Sequence, residues 1–105
     1  PPSGFVARMG GEEFLAALPD TSPAEAAALA EAMRQAVSAR PVSAGGGGVT
    51  LSITISAGVS TLTPDLCGAG RDRAAALLLR ADGALMSAKR AGRNRLMVAG
   101  LDAVA

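Results

Sequence analysis

Histidine, tryptophan and tyrosine are absent from this 105-residue sequence, which has only one cysteine and two phenylalanines. The single thiol, Cys67, excludes an internal disulfide. Without histidine, the usual catalytic triads and zinc sites are excluded, so carboxylates, lysine, arginine, hydroxyls or a bound metal must carry any catalysis. With so few aromatic rings, platforms on which nucleic-acid bases could stack are nearly excluded.

Long apolar runs and a strong net charge are also missing. The run Ala74–Leu79 is too short to cross a bilayer, and the large hydrophobic fraction of the chain reflects its 24 alanines. No signal-peptide pattern opens the chain. A net charge of +1 gives no general basic field for nucleic acid or anionic lipid. We therefore expect a soluble, cytoplasmic segment with no nucleic-acid or membrane contact.

Turn and capping residues divide the first part of the chain into three elements. Phe5–Met9 and Glu12–Leu18 have the composition of strands, and Gly10–Gly11 between them is typical of a tight hairpin turn. The Ser-x-x-Glu capping box that begins at Ser22 predicts a helix that ends near Ala39. The chain therefore starts with a β-β-α pattern.

The second part predicts a strand, a helix and a strand. A flexible connection, Gly45–Gly48, leads into a β-favouring alternation over Val49–Leu62, which predicts one strand with one buried face. We expect Asp72 to cap a second helix that runs to about Arg90 and stops at Gly92, and Leu96–Ala99 to form the last strand. The order β-β-α-β-α-β predicts an α+β fold, with helices packed on a mainly antiparallel sheet.

The hairpin carries the first candidate site, Gly10, Gly11, Glu12 and Glu13. The glycines permit a tight turn and leave room for a ligand, and carboxylates at a hairpin tip can hold Mg²⁺, which takes oxygen ligands and bridges substrate phosphates. The alternative is an exposed turn with two surface glutamates. The pattern alone favours that alternative, because such short sequences occur by chance.

A cationic cluster near the predicted helix end is the second candidate, and it consists of Lys89, Arg90, Arg93 and Arg95. On a helix, Lys89 and Arg93 are four positions apart and share a face, so both cations can bind one triphosphate. The alternative is that these side chains are solvated and complement the helix dipole. Taken alone, this alternative is again the better interpretation.

Taken together, three segments resemble the GGDEF family, the catalytic module of bacterial diguanylate cyclases. The first is the hairpin of residues 5–14 with Leu-Pro-Asp-Thr at 18–21, the second is Thr-Ile-Ser-Ala-Gly-Val-Ser at 54–60, and the third is residues 81–95, which include Lys89 and Arg93. All three occur in the family's order and span nearly the whole chain, so the match is far more specific than one motif.

The resemblance implies a palm-like, ferredoxin-related nucleotide cyclase fold, of which residues 1–105 would be a partial GGDEF domain that lacks the N-terminal βαβ part. It implies condensation of two GTP into cyclic di-GMP and pyrophosphate by a homodimer that uses Mg²⁺. Glu12 and Glu13 would be the catalytic and metal-binding residues. Gly10, Gly11, Lys89 and Arg93 would bind the substrate, the two cationic residues at its terminal phosphates.

The chain also departs from the family pattern. The family's second metal-binding carboxylate and its guanine-reading residues precede the hairpin, so we expect these 105 residues alone to be inactive. The family's product-inhibition site would fall on Pro1–Gly4, with a helix arginine at Ala32, and neither place has the required charge. Two alternatives stay open: a degenerate GGDEF domain that regulates a partner, and a small α+β interaction module without nucleotide function.

Overall fold

A computed structural model describes residues 4–45, 48–62 and 70–99, and within them it has two helices and six short strands. The strands are β1 (Phe5–Gly10), β2 (Glu13–Ala17), β3 (Val42–Ala44), β4 (Val49–Leu51), β5 (Ala57–Val59) and β6 (Leu96–Val98), and the helices are α1 (Pro23–Ser38) and α2 (Arg71–Arg90). The predicted α+β class is confirmed. The strands β1 and β2, and likewise β3 and β4, pair antiparallel, whereas β5 and β6 pair parallel.

Helix α1 begins where the sequence predicted, because a complete capping box fixes its first turn. The Ser22 hydroxyl accepts a hydrogen bond from the Glu25 N–H at 3.1 Å, and the Glu25 carboxylate accepts one from the Ser22 N–H at 2.9 Å. Pro23 fills the first helical position, where no N–H is needed. These bonds to Ser22 lower the pKa of Glu25.

Helix α2 starts differently from the prediction. It follows Gly70, whose φ of 51° suits glycine, and no side chain caps it, so Asp72 lies inside the first turn instead of before it. There its charge still favours the positive end of the helix dipole. At the other end, Gly92 stops the helix as predicted: the Gly92 N–H donates to Lys89 O at 3.3 Å and the Arg93 N–H to Ala88 O at 3.0 Å, which is a Schellman arrangement.

The single strand predicted over Val49–Leu62 is wrong. Its first residues form β4, which pairs with β3 across a turn where Gly45 and Gly48 have φ of 67° and 80°, while positions 46 and 47 lie outside the described residues. Its later residues form β5, which pairs with β6. The predicted buried face is also wrong over the first half, because Val49, Leu51 and Ile53 are 56%, 53% and 49% exposed. The alternation gives no pairing partner, and the two halves of the segment pair with different strands.

Strands β5 and β6 with helix α2 between them form a βαβ unit, in which the helix packs on both strands. At Gly58 a Cβ would lie 2.9 Å from Leu85 Cα and closer still to Ala81 O, so the strand touches the helix backbone. The Ser60 hydroxyl adds a 2.6 Å hydrogen bond to Leu77 O. Among the described residues, the buried side chains are those of Ala26, Ala84 and Ala88.

Larger apolar side chains are left at the surface. On the β1–β2 hairpin, Phe5 is 58%, Val6 69% and Phe14 67% exposed. Helix α1 likewise leaves Leu29 and Met33 partly exposed. No helix in the described ranges has the length and hydropathy to span a membrane.

Candidate functional site

The tip of the β1–β2 hairpin is shifted by one residue from the prediction. Gly10 is the last residue of β1 and pairs with Glu13, so the turn consists of Gly11 and Glu12. Both glycines have positive φ, 143° at Gly10 and 56° at Gly11, and Gly11 occupies the first central position, where a type II′ turn requires glycine. The register also shifts between Arg8 and Gly10, which places a bulge at Met9.

Arg8 stabilises this turn, a role that the sequence did not reveal. Its guanidinium donates to Gly11 O through Nε at 3.1 Å and through Nη2 at 2.7 Å. The carbonyl of the turn is therefore satisfied by a fixed cation, which keeps positive charge beside the two acidic residues. Neither Gly10 nor Gly11 has a neighbouring atom within 4 Å of the place a Cβ would take, so the space over the turn is open.

Glu13 and Lys89 bring the acidic hairpin and the cationic helix end together. The Lys89 Nζ lies 3.6 Å from Glu13 Oε2, although the residues are far apart in the chain, and their side chains are 24% and 46% exposed. This distance exceeds the roughly 2.7–2.9 Å of a charge-assisted hydrogen bond. An exposed pair of this kind contributes about 0–1 kcal/mol to stability, so it can open readily for another ligand.

Neither Glu12 nor Arg93 belongs to this ion pair. Glu12 is exposed at the tip, and its carboxylate makes no hydrogen bond or ion pair with the rest of the described chain. Arg93 lies beyond the end of α2, in left-handed backbone with φ of 63°, so the predicted helical face shared by Lys89 and Arg93 is wrong. The Schellman turn at Gly92 separates the two cations, because it ends the helix between them.

A second polar cluster holds the loop that carries Arg93. Arg34 in α1 donates to the Asn94 side-chain oxygen at 2.9 Å, and the Asn94 N–H donates to the Ser56 hydroxyl at 3.2 Å. Arg34 also donates to both carboxylate oxygens of Glu31, at 2.8 and 2.6 Å. These bonds, with a further one from Gln35, lower the pKa of Glu31 to about 2. Sixty positions separate Arg34 from Asn94, so no local pattern predicted this contact.

The hairpin has two carboxylates, and carboxylate oxygens are ligands that suit a magnesium ion. No group of three or more metal-binding side chains occurs in the part of the chain that the structure describes. Mg²⁺ is commonly held by one or two carboxylates together with substrate phosphates and water, so Glu12 and Glu13 at an open turn have the chemistry of magnesium ligands.

Comparison with known proteins identifies the family of the chain. The family model "Diguanylate cyclase, GGDEF domain" matches residues 1–95. Over 95 residues the chain is 45% identical to diguanylate cyclase DgcP of Pseudomonas aeruginosa, covering 90% of the chain and 13% of that protein. It is 43% identical over 90 residues to the response regulator PleD of Caulobacter vibrioides, covering 86% of the chain and 19% of that protein.

A solved structure shows the same fold. The GGDEF domain of DgcB from Caulobacter crescentus, in complex with c-di-GMP, superposes with a TM-score of 0.81 at 33% identity, and the match covers 93% of this chain and 53% of that one. The chain thus spans about half of that structure and less than a quarter of the two curated relatives. The family match over residues 1–95 and these likenesses show that the chain belongs to the GGDEF domain family.

Proposed function

We propose that this chain is the C-terminal part of a diguanylate cyclase domain, which joins two GTP molecules into cyclic di-GMP and releases two pyrophosphates. The 3′-hydroxyl of each GTP would attack the α-phosphorus of the other, forming a phosphodiester bond while pyrophosphate leaves. Such phosphoryl transfer depends on positioning and on stabilising oxygen charge more than on a protein nucleophile. Carboxylates and cations, which this chain has, suffice for that chemistry.

The ion pair between Glu13 and Lys89 carries the proposal. A carboxylate at an open glycine turn lies 3.6 Å from an ammonium. This proximity supports a single nucleotide site in which the hairpin would bind the metal and the helix end would bind the phosphates. A phosphate oxygen can replace Glu13 as the partner of Lys89, because the pair is loose and half exposed. The Glu13 carboxylate would then be available as a metal ligand.

Each site residue has a role in this scheme. Gly10 and Gly11 leave the backbone open to the nucleotide, and Glu12 with Glu13 would hold Mg²⁺, whose charge stabilises developing negative charge on the phosphate oxygens. Glu12, free at the tip, would also accept the proton of the attacking hydroxyl. Lys89 and Arg93 would bind the terminal phosphates, Lys89 from the helix end and Arg93 from the loop beyond it.

We also propose that a complete centre needs a segment equivalent to the half of the DgcB chain that this chain does not match, and a second copy of the domain. The exposed Phe5, Val6 and Phe14 support the first part, since a two-stranded hairpin alone is marginally stable and these side chains have no cover among the described residues. The second part follows from the chemistry, since two GTP molecules must face each other.

The test uses the full-length parent protein with GTP and Mg²⁺, and measures cyclic di-GMP by chromatography and pyrophosphate by a coupled assay. We expect product from the wild type, and a rise of about tenfold in KM for Lys89→Met, because one charge-assisted contact to phosphate is lost. Arg90→Met is the matched control: this neighbouring cation is exposed and has no bond to the hairpin within the described ranges.

Two results would contradict the proposal. One is the absence of cyclic di-GMP at every Mg²⁺ concentration from a protein that is folded. The other is a Lys89→Met variant with the KM of the wild type, which would show that the helix end does not face the phosphates.

A further inference from the structure

The loop after α2 has an unusual backbone. Three consecutive residues have positive φ: Gly92 at 127°, Arg93 at 63° and Asn94 at 49°. Glycine adopts such values freely and asparagine tolerates them, but for a residue such as arginine the left-handed conformation is unfavourable. Contacts from outside this loop must therefore hold Arg93 in place, and those contacts are candidates for a functional role.

Backbone bonds fix the two ends of the loop. The Schellman bonds from Gly92 and Arg93 tie its start to the last turn of α2. Its end is tied to the sheet, because the Ala57 N–H donates to Arg95 O at 3.0 Å. The Arg95 side chain folds back and donates to Arg93 O at 3.0 Å. None of these bonds involves Asn94, the residue between the two arginines.

Asn94 is held by side chains from two other elements. Its N–H donates to Ser56 just before β5, and its side-chain oxygen accepts from Arg34 Nη1 in α1. Arg34 is itself aligned by the two bonds that its Nε and Nη2 make to Glu31. Helix α1 is thus joined to the loop after α2 through one guanidinium, whose side chain is only 19% exposed.

The bonding of Arg34 decides between two roles for it. Three of the five N–H groups of this guanidinium already donate to Glu31 and Asn94. A direct phosphate ligand also needs net positive charge, which the paired carboxylate of Glu31 neutralises here. What remains is a geometric role, since Arg34 fixes Asn94 and Asn94 fixes the backbone of its neighbour.

We propose that Arg34 is a positioning residue for phosphate binding: through Asn94 it holds the left-handed loop that presents Arg93 to the terminal phosphates of the nucleotide. This inference rests on the function proposed above for Arg93. It assigns to helix α1, which holds none of the site residues, a contribution to triphosphate affinity. A loop that is already ordered before the nucleotide binds loses less conformational entropy on binding, so the affinity for the nucleotide is higher.

The experiment compares two ligands on the full-length protein by calorimetry: a non-hydrolysable GTP analogue, and GMP, which lacks the terminal phosphates. We expect Arg34→Met to weaken binding of the analogue about tenfold and to change GMP binding by less than about twofold, because a charge-assisted contact of this strength is lost only at the terminal phosphates. Arg40→Met is the control, since Arg40 is exposed just after α1 and its side chain has no polar partner among the described residues.

Asn94 supplies a second pair of variants that leaves the bonds between Arg34 and Glu31 intact. Asn94→Gly keeps the left-handed backbone but loses the acceptor, so we expect the same selective loss of analogue binding. Asn94→Asp keeps an acceptor oxygen at the same place and is expected to bind the analogue as the wild type does. This pair also decides the question if Arg34→Met fails to fold.

The outcomes separate the two proposals. Arg93→Met must weaken binding of the analogue; if it does not, the phosphate-binding role of Arg93 is wrong. If Arg93→Met weakens it while Arg34→Met and Asn94→Gly bind both ligands as the wild type does, only the positioning inference is refuted. Equal losses for the analogue and GMP would also refute it, since they would indicate general damage to the fold.

Discussion

Replacing Gly58 with alanine tests the contact between β5 and α2, the helix that carries Lys89 in its last turn. This contact sets how closely the helix lies on the β5–β6 pair. At Gly58 the three atoms nearest to an added Cβ all belong to the helix backbone, at Ala81 and Leu85, and the farthest of them would be 2.9 Å away.

The size of the effect follows from that distance. Carbon atoms in contact are normally about 3.5–4.0 Å apart, so the strand and the helix would have to separate by roughly 1 Å. Overpacking of a close contact usually costs about 1–3 kcal/mol. We expect Gly58→Ala to lower the free energy of unfolding by about 3 kcal/mol, the upper end of this range, because helix backbone cannot rotate aside as a side chain can.

Gly83 in the same helix provides the matched control. It is exposed, and an added Cβ there would meet no atom within 4 Å. Since glycine inside a helix is less favourable than alanine by about 0.5–1 kcal/mol, Gly83→Ala should stabilise the domain by that amount. Of these two glycine-to-alanine substitutions, Gly58→Ala is thus expected to destabilise the domain and Gly83→Ala to stabilise it.

The assay is urea unfolding of the GGDEF domain that contains this chain, followed by far-ultraviolet circular dichroism. The midpoint should fall for Gly58→Ala and rise for Gly83→Ala, with the same dependence on urea concentration. A Gly58→Ala variant with an unchanged midpoint would refute the close approach of β5 to α2.

Three further predictions concern pH, feedback and completeness. The pKa of Glu31 is lowered from 4.5 to about 2, so its pairing with Arg34 contributes its full stability above pH 4.5 and loses it as the pH falls toward 2. The urea midpoint of the Glu31→Gln variant should therefore depend less on pH over this interval than that of the wild type. If the full-length protein has the proposed activity, cyclic di-GMP should not inhibit it with high affinity, because the positions of the family's inhibitory site lack its charges. An inhibition curve that saturates at low product concentration would contradict this. The 105-residue chain alone should make no cyclic di-GMP, and robust turnover by it would show that no further segment is needed.

The helix starts and the hairpin could be predicted from the sequence only where bonds between residues close together in the chain determine them. The Ser22 capping box needs residues three apart, and it appears as expected. The helix stop at Gly92 is equally local. By contrast, the first turn of α2 has no side-chain cap, and the sequence offered Asp72 as a plausible but wrong one.

What could not be predicted depends on partners far away in the chain. The alternation over Val49–Leu62 has the same form whether one strand or two result, and only the pairing with β3 and β6 divides it. The spacing of Lys89 and Arg93 suggested one helical face, but the two bonds of the Schellman turn end the helix between them. The contact between Arg34 and Asn94 has no local signal at all.

The alanine-lined contact between the helices and the β5–β6 pair has a consequence for mutagenesis. Ala26, Ala84 and Ala88 are the buried side chains of the described chain, and each already ends at Cβ. Alanine-scanning mutagenesis would therefore leave this contact unchanged. A larger side chain, as in Ala88→Val, would disturb it, because Ala88 is fully buried. Sequence change at these three places is therefore confined by an upper limit on side-chain size.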